Sequence, residues 1–324
     1  MRGSRNLGAK RLKGHHFLLL VVLAALAALP IFLNELLVHI MVFVLLYAFL
    51  GMSWNIIGGF GGQFSFGHAA FFGIGAYTSS LLFYHYQVSP WLGMIVGAIF
   101  ATLFGLFMGF LCFRYKIRGI YFLFVTFAFS EILGQIVQNY REDFFRGSMG
   151  ILIPVKGNLP FYFQFASKTP FYYIVLIFLV ILFLITYKIE VTKMGYFLKS
   201  VREDEVAAES LGVNAFFWKM AAMGMSSFFT AIGGTFYAQY ISFIDPPLAF
   251  GWGLSLEIIL RPILGGTGTL AGPFVGSVLL TPVAEFVKTV FTGHSEIYLM
   301  FYGGILISCM MFFPDGIMGF FRKR

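Results

Sequence analysis

Apolar residues run along this chain in blocks of about 20, the length an α-helix needs to cross a bilayer core. Short clusters of charge, Pro or Gly separate the blocks. Cutting at those clusters predicts ten spans, at approximately 16–33, 36–57, 63–86, 90–113, 119–139, 170–188, 218–241, 250–265, 273–291 and 296–314. Two depart from the pattern: 63–86 is interrupted by glycine, and 250–265 is short for a full crossing. The predicted fold class is an all-α, polytopic integral membrane helical bundle of about ten spans, including glycine-interrupted segments.

Composition removes the alternatives. Of 324 residues, 59% are hydrophobic and 11% charged, whereas a soluble domain puts roughly a quarter of its residues into Asp, Glu, Lys and Arg. Lipid must be the main solvent. Disorder, a secreted disulfide scaffold and nucleic-acid binding are set aside, because the formal +8 charge sits in tails and loops and not on one polar face. Cys112 and Cys309 both lie in apolar runs, without the spacing of a metal or redox motif, and read as small buried hydrophobes.

The placement of Lys and Arg sets the orientation, since basic loops stay in the cytoplasm. Sixteen of the 22 fall in four places. They are the tail Arg2, Arg5, Lys10, Arg11 and Lys13; the loop Arg114, Lys116 and Arg118; the stretch Lys188, Lys193, Lys199, Arg202 and Lys219; and the end Arg322, Lys323 and Arg324. If all four are cytoplasmic, an even number of spans must separate each pair, and ten spans satisfy that. The chain then divides into a basic cytoplasmic tail at 1–15, a transmembrane domain at 16–316 and a second basic tail at 317–324. Both termini are cytoplasmic, 140–169 is the sizeable external loop, and 189–217 is a cytoplasmic segment. A signal peptide is the alternative for the first run, where Ala25-Leu26-Ala27 resembles a cleavage site. However, the run continues through Pro30 and Phe32 without a polar mature start, and removing it would spoil the parity.

Charges inside hydrocarbon cost about 2.5–3.5 kcal/mol each on insertion scales, so each needs a partner or a wet cavity. Glu131, Glu257, Arg261 and Glu285 are in that position. Glu257 and Arg261 stand four apart, on one helical face, in the favourable order for an ion pair. The pair reads as a clamp between packed helices or as part of a substrate path; Glu131 has the same two readings. His68 lies in a Gly/Ser/Ala-rich stretch with no second ligand at metal-binding spacing, and reads as a packing histidine.

Two segments break the helical pattern: Gly58-Gly59-Phe60-Gly61-Gly62-Gln63-Phe64-Ser65-Phe66-Gly67-His68, and Gly265-Gly266-Thr267-Gly268-Thr269-Leu270-Ala271-Gly272-Pro273. Glycine at this density predicts unwound or re-entrant backbone, which at membrane depth is tolerated only when buried in protein or lining a cavity. One such interruption in each half of a chain points to a transporter's substrate region near the midplane. Gly62, Gln63, Ser65, Gly67, Gly265, Gly266, Thr267 and Gly268 are therefore the candidate path residues. Close helix packing through small residues, as at Gly73-x-Gly75-Ala76, is the competing explanation.

The most specific local signal is in the predicted cytoplasmic stretch. Arg202-Glu203-Asp204-Glu205-Val206-Ala207-Ala208-Glu209-Ser210-Leu211-Gly212-Val213-Asn214 reads as a short helix, with acidic residues in its first turn. Gly212 stands where a left-handed residue would end it. Val206, Ala207 and Leu211 offer a small apolar face. So short a helix is not stable alone, and its acidity disfavours anionic lipid, which leaves a docked cytoplasmic protein.

Taken together, these motifs resemble the branched-chain amino acid permease family of bacterial ABC importers, over roughly residues 43–316. The carriers are the stretch 61–77, Arg118-Gly119-Ile120-Tyr121-Phe122 leading to Ser130-Glu131-Ile132, the stretch 202–212, Ile263-Leu264 running into the second glycine segment, and Pro314-Asp315-Gly316. Of the two homologous permeases such systems pair, the chain looks like the longer one. The resemblance implies a heterodimer with the second permease, two cytoplasmic ATPase subunits and an extracytoplasmic solute-binding protein, all in the bacterial inner membrane system. ATP and Mg would be used by the partners and no cofactor by this chain, in keeping with the absence of a G-x-x-x-x-G-K-[ST] motif. It also implies a coupling segment at Arg202, Glu203, Asp204, Glu205, Ala207, Ala208, Leu211 and Gly212. Two departures stand out. The family's Thr-Gly-Gly-x-x-Gly-Ile is Phe145-Arg146-Gly147-Ser148-Met149-Gly150-Ile151 here, and Arg261 occupies a place expected to be apolar.

The leading expectation is a transport subunit, not an enzyme, for branched-chain or related neutral amino acids. Urea or short-chain amides are the alternative cargo. A solitary ion-coupled transporter using Glu131, Glu257 or Glu285 is the alternative class, but it leaves the 203–212 helix without a purpose.

Overall fold

The computed structural model describes residues 22–290 and, beyond them, 300, 303–304, 307–308, 311 and 316–322. The N-terminal tail, the start of the first span, Cys309, Pro314-Asp315 and most of the 296–314 span lie outside the described residues. The helices are α1 (Val22–Phe32), α2 (Glu35–Asn55), α3 (His68–Tyr86), α4 (Pro90–Arg114), α5 (Gly119–Asn139), α6 (Glu142–Phe145) and α7 (Thr169–Val191). They continue with α8 (Lys193–Glu203), α9 (Glu205–Ser210), α10 (Ala215–Ile241), α11 (Pro246–Phe250), α12 (Trp252–Gly265), α13 (Gly272–Val290) and α14 (Gly316–Arg322). Among the described residues, Glu35–Phe60, Pro90–Arg114, Gly119–Asn139, Thr169–Val191 and Pro246–Gly265 are each long and apolar enough to cross a membrane.

Helix α2 is the centre of the bundle. Asn34 caps it, its Oδ1 accepting from the Leu37 amide at 3.0 Å. From Val42 through Gly61 every residue is buried, as expected for a helix that is apolar on all sides. Its last turn, Ile56–Phe60, widens to a π-helix before the chain breaks at Gly61-Gly62. Helix α4 shows the opposite pattern, with an outward stripe of Leu92, Ile95, Val96, Ile99, Phe100, Leu103, Phe107 and Phe110. That stripe is left uncovered by the rest of the chain.

Against α2 stands a tight trio of α3, α4 and α10. A Cβ at Gly75 would overlap the Ala231 carbonyl, and one at Gly105 would come within 2.6 Å of Ser227 Oγ. The Thr235 hydroxyl donates to the Gly75 carbonyl at 2.9 Å. The Gly73-x-Gly75 stretch is thus a close-packing surface, where dispersion contacts and one interhelical hydrogen bond replace the absent hydrophobic drive.

Three predicted boundaries change. The 63–86 span becomes helical only at His68, because Gly62 takes φ +67° and the chain runs without regular structure, through a turn at Gly67, before the helix starts. The 250–265 span belongs to a longer apolar stretch, Pro246–Gly265, broken between α11 and α12 at Gly251 (ψ 150°). The 218–241 span starts earlier, at Ala215, since Asn214 Oδ1 caps it by accepting from the Phe217 amide at 2.9 Å.

Three contacts fix relative sidedness. Arg118 pairs with Glu205 at 3.1 Å, so the 114–118 loop and the 193–212 segment share one face. On the opposite face, β1 (Ile151–Leu152) pairs antiparallel with β2 (Phe243–Ile244), and Trp91 Nε1 donates to the Pro160 carbonyl at 2.9 Å. The 140–169 loop is therefore a folded cap and not a slack connection: Trp91 stacks on Phe163 at 4.3 Å, and Ser89 Oγ donates to the Phe161 carbonyl at 2.6 Å.

Candidate functional site

The predicted single helix over 202–214 is two helices meeting at a corner. Arg202 and Glu203 close α8, whose Leu198 and Val201 are buried. Asp204 then turns to extended backbone (φ −153°, ψ 108°) and opens α9. Its Oδ1 accepts from the amides of Val206 and Ala207 at 2.9 and 3.0 Å, filling two of the donors a helix start leaves unpaired. Gly212 ends the element at φ +85°, as the sequence predicts. The Val213 amide reaches back to the Ala208 carbonyl at 3.0 Å.

Helix α9 is held from inside and open outside. Ala208 packs with Val201, Val213 and Ala215. Glu205 also faces inward, contrary to its expected place on a docking face. Its carboxylate accepts from Lys219 Nζ at 2.5 Å and forms an ion pair with Arg118, whose Nε lies 3.1 Å away, and its side chain is 11% exposed. Lys219 is almost fully enclosed, with its ammonium 5.0 Å from the Phe113 ring centroid. Val206, Ala207, Glu209 and Leu211 point outward, Leu211 at 86% exposure. These carry the free apolar face.

The two glycine-rich segments come together beside this unit. Asn55, fully buried one turn before the break in α2, binds the second segment through both ends of its amide. Its Nδ2 donates to the Thr269 carbonyl at 2.9 Å, and its Oδ1 accepts from the Gly268 amide at 2.8 Å. A Cβ at Gly59 would lie 2.6 Å from the Gly268 nitrogen, so this approach requires glycine. Arg202 Nη1 donates to the Gly59 carbonyl at 2.7 Å. The turn at Gly59–Gly62 and the second segment thus sit at the ends of α2 and α12, on the α8–α9 face.

Within the first segment, Gln63 Nε2 donates to the Gly61 carbonyl at 3.3 Å, and Ser65 Oγ accepts from the Gly67 amide at 3.2 Å. The chain climbs back into the bundle from Gly62: Trp54 Nε1 donates to the Ser65 carbonyl at 2.9 Å, and the hydroxyl of Ser255 on α12 donates to the Phe66 carbonyl at 2.5 Å. In the second, Gly265 and Gly272 close on each other, and Gly266 and Gly268 take φ +121° and +72°. Thr267 is half-buried between them. A cavity of about 590 Å³ lies elsewhere, on the outer face between α4, α7 and α10.

The intramembrane charges divide. Arg261 is completely buried, ion-paired with Glu257 (Nη2 to Oε2 3.4 Å) and donating to the Glu257 backbone carbonyl. Its guanidinium lies 3.6 Å from the centroid of Tyr47 on α2. This is the clamp geometry, with a ring face added. Glu131 is half-buried on α5, beside Ser130, whose hydroxyl donates to the Phe250 carbonyl at 2.9 Å; it is not brought to Glu257. Glu285 is half-buried on α13. His68 Nε2 meets Ser226 Oγ at 2.8 Å, as a packing histidine does, and no group of three His, Cys, Asp or Glu gathers among the described residues.

Sequence reasoning missed Asn55, used Lys219 only for orientation, and used Arg118 for orientation and for the family resemblance, not as a partner of Glu205. The available signals were an amide in an otherwise apolar helix and a lysine five residues inside α10.

The sequence matches the family described as branched-chain amino acid transport system / permease component over residues 36–310. The high-affinity branched-chain amino acid transport system permease protein LivM of Escherichia coli K12 is 27% identical, over 95% of this chain and 76% of LivM. The corresponding LivH protein of Salmonella typhimurium is 22% identical over 84% of this chain and 91% of LivH. The nucleoside ABC transporter permease protein NupC of Lactococcus lactis is 27% identical over 48% of this chain and 50% of NupC. No solved structure matches.

Proposed function

The chain belongs to the family of permease components of branched-chain amino acid transport systems, and we propose that it is the longer membrane subunit of an ATP-driven importer for branched-chain or related neutral amino acids. It lies in the bacterial inner membrane with both termini in the cytoplasm. It pairs with a second, homologous permease, receives substrate from an extracytoplasmic binding protein, and is driven by two cytoplasmic ATPase subunits. The face carrying Arg114, Lys116, Arg118 and α8–α9 is then the cytoplasmic one, in accord with the retention of basic loops.

The observation that carries this reading is the build of α9. Six residues cannot hold a helix by themselves, yet this one is capped at both ends, pinned by Glu205 to Lys219 and Arg118, and left with bare Val206 and Leu211 outside. A rigid mount with an exposed apolar tip suits a part that is gripped by another protein. As for cargo, the likeness to NupC, whose name specifies a nucleoside system, supports a second reading in which the same architecture carries a different small polar solute.

Leu211→Asp and Gly212→Val test the assignment. The first changes only an exposed side chain, and substitutions there stay within about 0.5 kcal/mol of neutral. The expected result is loss of ATPase co-purification and of leucine uptake at normal membrane levels of the permease. Undiminished uptake in both variants refutes the coupling role of α9. Assayed in the wild type, uptake of a nucleoside in place of leucine would favour the second cargo.

A further inference from the structure

We infer that Arg202 is the positioning residue through which α8–α9 holds both glycine-rich segments, so that a displacement of α9 reaches the ends of α2 and α12 together. This rests on the reading of α9 as the motor's handle, and extends it inward.

The end of a helix leaves carbonyls without intrahelical partners, and these carry the negative pole of the helix dipole. At the end of α2 the Gln63 amide takes the Ile57 carbonyl at 3.1 Å, and the Gly59 carbonyl takes Arg202 Nη1 at 2.7 Å. A cation is the matching donor there. The rest of the side chain lies flat on glycine: a Cβ at Gly62 would come within 2.7 Å of Arg202 Cγ, and one at Gly268 would collide with Nη1. One arginine therefore touches both interruptions, which Asn55 already joins to each other.

The mechanical path is short. Arg202 stands two residues before Asp204, whose carboxylate caps α9, and two residues span at most about 7 Å. That leaves no slack between handle and latch. Glu205 reaches the 114–118 loop and α10 instead, so the two links from one corner go to different parts of the bundle.

The test uses the whole complex, with second permease, ATPases and binding protein, bearing Arg202→Ala, Arg202→Gln or Arg202→Lys. Amide hydrogen exchange is read in detergent without nucleotide, and leucine moved per ATP hydrolysed is read in liposomes. The Ala and Gln variants should raise exchange about fivefold or more in peptides covering 57–63 and 264–270, while 222–235 keeps its protection. Leucine per ATP should fall about tenfold, a loss of about 1.4 kcal/mol of coupling. Lys, which keeps a cationic donor for the Gly59 carbonyl, should recover most of both. Unchanged exchange in either segment overturns the latch. Exchange that rises equally at 222–235 overturns it too, since the residue would then be merely structural. A wild-type complex that moves no leucine with ATP defeats the functional reading alone, and the exchange result still decides the latch.

Discussion

Lys219 and Glu205 give the sharpest energetic prediction. Both are largely enclosed, with side-chain exposures of 2% and 11%, and their charged atoms are 2.5 Å apart. Removing one partner of a buried pair costs about 3–5 kcal/mol, because the other charge is left desolvated and uncompensated. For Lys219→Met the cost is lower, about 2–3 kcal/mol, since Glu205 keeps Arg118 at 3.1 Å, although that arginine is partly screened by water. For Glu205→Gln the buried ammonium keeps only an aromatic ring, and about 3–4 kcal/mol is expected. The double variant removes both charges and should cost about 1–2 kcal/mol. The coupling energy is thus about 4 kcal/mol, beyond the usual 0.5–3 range for contacting residues because a desolvated charge is relieved. Taking about 2 °C per kcal/mol for a chain of this size, the singles should lower the thermal midpoint of the detergent-solubilised permease by about 4–8 °C, and the double by about 2–4 °C. Fluorescence-detected size exclusion after heating measures this. A double variant as damaged as the sum of the singles would refute the argument.

Gly75→Val should prevent stable accumulation of the permease, because its side chain meets the Ala231 carbonyl and overpacking costs about 1–3 kcal/mol or more; a normal amount of folded protein in membranes would contradict the packing of α3 on α10. Arg146→Gly should be nearly neutral in the same thermal assay. It removes the left-handed strain of a non-glycine at φ +64°, about 1 kcal/mol, but also the cation over the Tyr84 ring at 5.4 Å, about 0.5–1 kcal/mol. A drop of more than about 4 °C would mean that the ring contact outweighs the strain.

The helical bundle was legible because hydropathy and helix length obey one strong constraint: every backbone polar group in lipid must be satisfied within its own segment. Gly212 was legible for a separate reason: a left-handed glycine ends a helix, and its φ of +85° follows from its place after the last turn of α9. Depth was not legible. Glycine interruptions read alike whether they sit mid-membrane or at a helix end, and only the contacts place Gly59–Gly62 and Gly268 at the ends of α2 and α12 while Ser65 and Phe66 run back into the bundle to Trp54, Thr126 and Ser255. The direction of Glu205 was equally hidden, since its partner Lys219 lies 14 residues away, beyond the Gly212 turn and on the next helix. The departure at 145–151 becomes intelligible only in the fold: Arg146 occupies a left-handed position that glycine fills in the family's pattern, and Tyr84 provides its guanidinium with a partner.

The two links at the corner between α8 and α9 differ in kind, and the difference assigns them different parts in any movement. Glu205 is enclosed and holds two cations, so displacing it would expose a charge pair at a large desolvation cost. Arg202 donates to one peptide carbonyl and lies against Gly62 and Gly268, so it can move together with them without separating an ion pair. A force applied at Leu211 therefore finds a fixed point at Glu205 and a movable link at Arg202. Helix α9 should tilt about the first and carry the second. The parts that then shift are the ends of α2 and α12, whose left-handed glycines Gly62, Gly266 and Gly268 are the positions where backbone rotation costs least.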